Sequence, residues 1–379
     1  SIEFAMKFDV PVQVRSSFSD VGGTWIVPES PWMTQFPVCG AAMVREEARV
    51  SLIGVPDVPG VSYRVFEAVA SRNIVVDMIA QNVGVQGRAT IGFTVPVGDL
   101  KATLASLDPL IREWKAGIEY DEKVSKVSVV GAGMRIQHGV AAKMFHALAA
   151  ENIHLKMITT SDIKISVLVD REQGIHALRS VHRAFKLHSP RPGAGHPMPS
   201  PEAPCPDVAT DLVALKNRLA DMEGILVDTI KLDTTQGRIT LSHLTDEPGN
   251  PHRLFQAVAN GGISVDMIVL NTTSGSRELS FSVPLVDLER ALELSKKVAQ
   301  EFGPSVEVSA DANIATVNVL GVGMRTHTGV ARRMFGALAA RGINIAMINT
   351  SEVRLSVVVE KKFGEDACEA LKAEFHAQP

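Results

Sequence analysis

Two hydrophobic rhythms alternate along this chain. The run Val50-Ser51-Leu52-Ile53-Gly54-Val55 is short, apolar and bounded by a Pro- and Gly-containing turn, which predicts a strand. Val61, Val65, Phe66, Val69 and Ala70 then fall at helical spacing, which predicts a helix over 61–71. Residues 74–79 read as a second strand, 88–95 as a third, and a second helix starts near Val97. The order recurs downstream, with strands over 126–130, 153–158 and 163–169 and helices over 140–150 and 174–185. Strands and helices alternating in this way predict α+β layers, antiparallel sheets with helices on one face.

The rhythm is a repeat in the residues themselves. At a shift of 189, Asp57-Val58-Pro59-Gly60 meets Asp246-Glu247-Pro248-Gly249, Phe66 meets Phe255, and Asp77-Met78-Ile79 meets Asp266-Met267-Ile268. Farther on the shift is 190: Gly131-Ala132-Gly133-Met134-Arg135 meets Gly321-Val322-Gly323-Met324-Arg325, and Thr160-Ser161 meets Thr350-Ser351. Within the first half a shift of 79 superposes Gly60-Val61 on Gly139-Val140, Phe66 on Phe145 and Met78-Ile79 on Met157-Ile158. The chain therefore holds four related units in two pairs, over 37–188 and 225–379. Residues 189–224 separate them. Pro190, Pro192, Pro197, Pro199, Pro201, Pro204 and Pro206 make the start of that segment an extended spacer, and Leu212, Leu215 and Leu219 predict a short helix after it.

Composition narrows the class. Of 379 residues, 45% are hydrophobic, 21% charged and only 5% aromatic, so the cores are aliphatic and Met-rich. A net charge of -4 with interspersed signs offers no stripe for nucleic acid and no basic amphipathic segment for a membrane surface. Cys39, Cys205 and Cys368 are odd in number and far apart, which fits a reducing cytoplasm rather than disulfides or a zinc site. There is no signal peptide and no apolar run of about 18 residues. Ser1 falls inside an expected helix, so the chain reads as a piece of something longer.

Candidate chemistry gathers at the strand-to-helix corners. Asp57-Val58-Pro59-Gly60-Val61, 135–140, Asp246-Glu247-Pro248-Gly249 and 325–330 each place a glycine before a helix start. Such a corner offers free N–H groups and partial positive charge to a carboxylate, although Asp with Pro-Gly also simply caps a helix. Gln81 and Asn82, at the end of a strand, are candidates for holding an ammonium or side-chain polar group, or for satisfying their own backbone. Gly131-Ala132-Gly133 lacks the third glycine of a dinucleotide fingerprint, and there is no phosphate loop, HExxH or nucleophile elbow.

The stretches Asp57-Val58-Pro59-Gly60, Asp77-Met78-Ile79-Ala80-Gln81-Asn82, Val129-Val130-Gly131-Ala132-Gly133-Met134-Arg135 and Thr160-Ser161-Asp162-Ile163-Lys164-Ile165-Ser166 resemble the regulatory region of aspartate kinases. Residues 1–36, with Pro11-Val12-Gln13-Val14-Arg15-Ser16-Ser17-Phe18, resemble the last helix and strand of that family's kinase domain. The resemblance implies four ferredoxin-like βαββαβ ACT modules that bind lysine and/or threonine and feed back on the first step of aspartate-family biosynthesis. It implies a cytoplasmic protein working with its own kinase domain, which uses ATP and magnesium. This sequence shows none of the nucleotide motifs of that domain and no cofactor site. Two pairs in one chain depart from the family's usual single pair.

The resemblance also implies an effector site where the first module of one pair meets the second module of another. Its residues here are Asp57, Gly60, Val61, Gln81, Asn82, His327, Asn344, Ile345 and Ser351. The repeat partners, Asp246, Gly249, Asn271, His154 and Ser161, form a second, degenerate set, because Gln81 is matched by Leu270, Asn344 by His154 and His327 by Gln137. The expectation is an internal pseudo-dimer, or a homo-oligomer, with one intact site. Lysine and threonine stay undistinguished, and a stand-alone ACT-array binding or oligomerisation subunit of another enzyme remains the alternative.

Overall fold

The computed structural model describes residues 12–19, 23–26, 33–82, 87–189, 226–273, 277–322, 329–351 and 354–375. The expected Pro-rich spacer from Pro190, the short helix after it and His327 lie outside the described residues. At the N-terminus β1 (Val12–Val14) pairs with β2 (Thr24–Ile26) in a small antiparallel ribbon. The first module comprises the second half of β3 (Gly40–Pro56), α1 (Val61–Ala70), β4 (Ile79–Asn82), β5 (Arg88–Pro96), α2 (Leu100–Trp114) and the first half of β6 (Gly117–Val130). The second module continues with the rest of β6, α3 (Val140–Ala150), β7 (Met157–Ser161), β8 (Lys164–Asp170) and α4 (Gly174–Ala184).

The second module's sixth strand comes from upstream. Gly40 to Val44, the first half of β3, pairs with Val130 to Lys126 of β6. The second pair repeats the device. β9 (Leu226–Asp233) precedes the third module, which runs β10 (Gln236–Ser242), α5 (Gly249–Asn260), β11 (Ile268–Thr272), β12 (Arg277–Pro284), α6 (Leu288–Phe302) and β13 (Glu307–Asp311). The fourth module runs β14 (Ile314–Val322), α7 (Gly329–Ala340), β15 (Met347–Thr350), β16 (Arg354–Glu360) and α8 (Gly364–Phe375), and β9 closes its edge beside β14. The second and fourth modules are thus wrapped around the first and third.

The second strands of the first two modules begin later than the apolar pattern predicts, at Ile79 and Met157. Before Ile79 the chain meets β5 through Asp77 N–H donating to Thr94 O, Thr94 N–H to Met78 O and Met78 N–H to Thr94 Oγ1. Burial of Ile74, not ladder pairing, explains the apolar start of that run.

Among the described residues fourteen strands form one ladder, β13-β10-β12-β11-β7-β8-β6-β3-β5-β4-β15-β16-β14-β9. Register shifts at Val44/Glu47 and Glu47/Arg49 interrupt the β3–β6 pair, so the two long strands pass from one sheet into the next. Each serves both, which divides the ladder into two sheets of eight strands. One sheet joins the first module to the fourth through Gln81↔Ile348; the other joins the third to the second through Leu270↔Ile158. These registers are equivalent under the repeat, so the two halves of the chain are related by a pseudo-twofold arrangement.

Helices cover the outer face of each sheet. Phe66 meets Phe335 at 5.3 Å between ring centroids, and Phe145 meets Phe255 at 5.5 Å, so the four repeat phenylalanines pair across module boundaries. The inner faces pack on each other through Met78, Met157, Met267 and Met347, all buried, one from each module at the same repeat position. Unbranched Met side chains fill such an irregular sheet-on-sheet gap readily. Polar links flank them: Arg354 donates to Asp162 and Asp266 from two other modules, and Asn82 Nδ2 donates to Glu278 O at 3.1 Å. Burial raises the Glu278 carboxyl above its ordinary pKa there. Among the described residues no helix is long and apolar enough to cross a membrane.

Candidate functional site

The corner between β3 and α1 is held open by Gly60, whose φ of 91° is left-handed and favours glycine. No side chain caps α1; the Val61 N–H turns back towards Val58 O at 3.4 Å. Across the module boundary, Asn344 Nδ2 donates to Asp57 Oδ1 at 2.8 Å. Gln81 lies beneath, only 4% exposed. Its Nε2 donates to Ile345 O at 2.7 Å and its Oε1 accepts from Ser62 Oγ at 2.8 Å. Thr350 Oγ1 completes the seam, accepting from Ile79 N–H at 2.8 Å and donating to Asp77 O at 2.9 Å. The structure therefore brings Asp57, Gly60, Val61, Gln81, Asn344 and Ile345 into one crevice between the first and fourth modules. The Asp57 carboxylate also acts on the nearby Arg238 guanidinium, whose pKa burial lowers.

Two expected members of this set, Asn82 and Ser351, and one of the second set, Asn271, do not join. Asn82 follows Gln81 in a strand, so its side chain points to the opposite face and enters the inter-sheet contact at Glu278. Asn271 does the same in the third module, facing Gly92 of the first, where a Cβ would meet Asn271 Oδ1 at 2.7 Å. Ser351 closes its own turn: its Oγ accepts from Arg354 N–H at 3.1 Å.

The equivalent crevice between the third and second modules is filled differently. Asp246 Oδ1 lies 3.2 Å from His154 Nδ1 and 2.6 Å from Arg277 Nη1. Arg277 also donates to Leu155 O, the repeat counterpart of Ile345 O. Gly249 starts α5 without the left-handed backbone of Gly60. On the far edge of the same boundary a cavity of about 350 Å³ lies between Gln137-His138-Gly139 and Ser264-Val265-Asp266. His138 Nδ1 and Ser264 Oγ are 3.0 Å apart on its wall, and the buried Ser161 Oγ faces it without a hydrogen-bond partner. Sequence reasoning grouped Ser161 with Asp246, Gly249, Asn271 and His154 and did not single out Arg277, Asp266 or Ser264. The repeat offers a signal for two of these, since Asp77 and Arg88 are their counterparts.

The ACT domain family model matches residues 50–108, 127–185 and 317–375. The third module lies outside these stretches and is assigned by its βαββαβ order and its residue-for-residue repeat. An aspartate kinase of Stutzerimonas stutzeri is 41% identical over 192 residues, 50% of this chain and 47% of that protein. An aspartokinase of Helicobacter pylori is 40% identical over 191 residues, 49% and 47% of the two chains. The chain thus spans about half the length of the curated relatives it matches. The crystal structure of aspartate kinase from Synechocystis superposes on 99% of this chain and 62% of that one, with a TM-score of 0.79 and 29% identity. Three stretches of the chain match the ACT domain family, and about half of its length is similar to aspartate kinases.

Proposed function

We propose that this chain is the amino-acid-sensing, feedback-regulatory part of an aspartate kinase, and that lysine and/or threonine binds between the first and fourth modules. The observation that carries this reading is the meeting of Asp57 and Gln81 with Asn344 and Ile345, which come from opposite ends of the chain. A free amino acid has two charged ends. The uncapped start of α1 suits its carboxylate, since unpaired N–H groups and the helix dipole both favour negative charge. Asp57 suits its ammonium, and the Gln81 and Asn344 amides suit polar side-chain atoms.

The site spans two modules, so occupancy favours one arrangement of the halves. A coupling of about 1–3 kcal/mol is enough to regulate an attached enzyme. ATP-dependent phosphorylation of aspartate would belong to an adjoining kinase domain. A thermal-shift screen of this chain with lysine, threonine and methionine tests the reading, because a ligand of the native state raises Tm by mass action. Saturable stabilisation by lysine or threonine is expected; no shift with any of the three would overturn it.

A further inference from the structure

Besides the substitutions already noted, the two equivalent crevices differ in how one shared arginine is placed. Arg88 and Arg277 are counterparts at the start of β5 and β12. Arg88 turns outward, donating to Gly54 O at 2.7 Å and Trp114 O at 3.2 Å. Arg277 turns inward and is 95% buried, with 5% side-chain exposure. Its guanidinium meets the Asp246 carboxylate at 2.6 Å, Thr272 Oγ1 at 3.1 Å and Thr245 O at 3.5 Å, and it donates to Leu155 O. In the other crevice, Gln81 makes the bond to the equivalent carbonyl, Ile345 O. The counterpart of Gln81 is Leu270, which offers no donor and leaves that carbonyl to the arginine.

We infer that the crevice between the second and third modules is a binding site for an alkylguanidinium or alkylammonium cation, and that its occupant is the chain's own Arg277. Four oxygen acceptors converge on one planar cation, one of them a carboxylate able to take a charge-assisted bond. The acceptors come from both modules: Leu155 from the second, and Asp246, Thr245 and Thr272 from the third. A tethered cation that bridges both sides holds the boundary in its bound arrangement permanently. Among the described residues the first-to-fourth crevice has no such tether, because Arg88 is anchored away from it. The Asp246 crevice is therefore filled by the protein's own cation, whereas the Asp57 crevice is bridged by the Asn344 and Gln81 amides. This extends the effector reading to the second crevice, but the cation cage is a separate claim about Arg277 and Asp246.

The test uses the full chain with Arg277→Ala and the double variant Leu270→Gln/Arg277→Ala, which restores the amide arrangement of the first crevice. Methylguanidine, L-lysine and L-threonine are titrated by calorimetry, and Tm is followed. Methylguanidine should bind both variants at least about ten-fold more tightly than the wild type and raise their Tm by about 2 °C or more at saturation. Adding Asp246→Asn should abolish that gain. If neither variant binds methylguanidine more tightly, or neither recovers stability or a folded state in its presence, Arg277 is a structural bond and the proposal is overturned. Wild-type binding of lysine or threonine tests only the Asp57 crevice, so either claim can fail alone.

Discussion

Asn344 and Asp57 are 287 positions apart in the chain and 2.8 Å apart in space, Asn344 Nδ2 donating to Asp57 Oδ1. The contact exists because β4 and β15 extend one sheet across the boundary of the first and fourth modules, with Gln81 opposite Ile348. Once that register is set, the asparagine ahead of β15 faces the corner ahead of α1. The same register in the other sheet sets His154 against Asp246.

The Gln81 amide is the buried polar bridge of this crevice, and its counterpart Leu270 marks what the position looks like without one. Gln81→Leu is expected to leave the sheet register intact and to weaken lysine or threonine binding about ten-fold or more, the worth of one to two lost hydrogen bonds. Calorimetry on the two proteins checks it. An unchanged Kd would remove Gln81 from the site.

Asn82 is adjacent in sequence and opposite in role. Its side chain lies between the two sheets, donating to Glu278 O. Asn82→Ala should lower stability by about 1–2 kcal/mol in urea unfolding while leaving effector affinity unaltered. A loss of affinity without a loss of stability would place Asn82 in the crevice after all.

These two residues show how far the sequence could be read. The repeat of D-x-P-G corners, paired phenylalanines and D-M-I strands was legible, because each recurs at a constant shift with a local physical meaning. Pairing Gln81 with Asn344 was legible from the split of the polar set across two halves. Placing Asn82 beside Gln81 overlooked strand alternation, which sends neighbours to opposite faces. The upstream origin of the sixth strands in the second and fourth modules left no local trace, since β3 reads as an ordinary apolar run and its change of partner depends on tertiary pairing. Arg277 was hidden for a related reason: Arg88 and Arg277 are the same residue at the same repeat position and differ in which acceptors surround them.

The central contact between sheets rests on Met78, Met157, Met267 and Met347, each fully or almost fully buried. Met347→Ala should cost about 2–5 kcal/mol, since the cavity it leaves is walled by strands that cannot collapse far. Because the neighbouring Met78 shares that space, Met78→Ala with Met347→Ala should be non-additive in a double-mutant cycle. Strict additivity would mean the two halves do not pack through this cluster.

The helices α3 and α5 meet through a histidine pair that the other boundary lacks. His146 Nδ1 lies 3.1 Å from His252 Nε2, and His252 Nδ1 is 3.3 Å from Ala142 O. The carbonyl fixes the proton on His252 Nδ1, so Nε2 accepts from His146. Burial lowers the His252 pKa from its ordinary 6.5, the Ala142 carbonyl opposes this, and the neighbouring His146 and Arg253 lower it further. Between the folded and unfolded pKa values the unfolded chain binds the extra proton, so this contribution to stability is complete above the unfolded value and declines as pH falls through the window below it. At the corresponding position of the other boundary Tyr63 packs on Gly336. Urea midpoints for the wild type should therefore fall between about pH 7 and pH 5 more steeply than for His252→Gln. Equal slopes would show that the pair does not couple protonation to docking of the second and third modules.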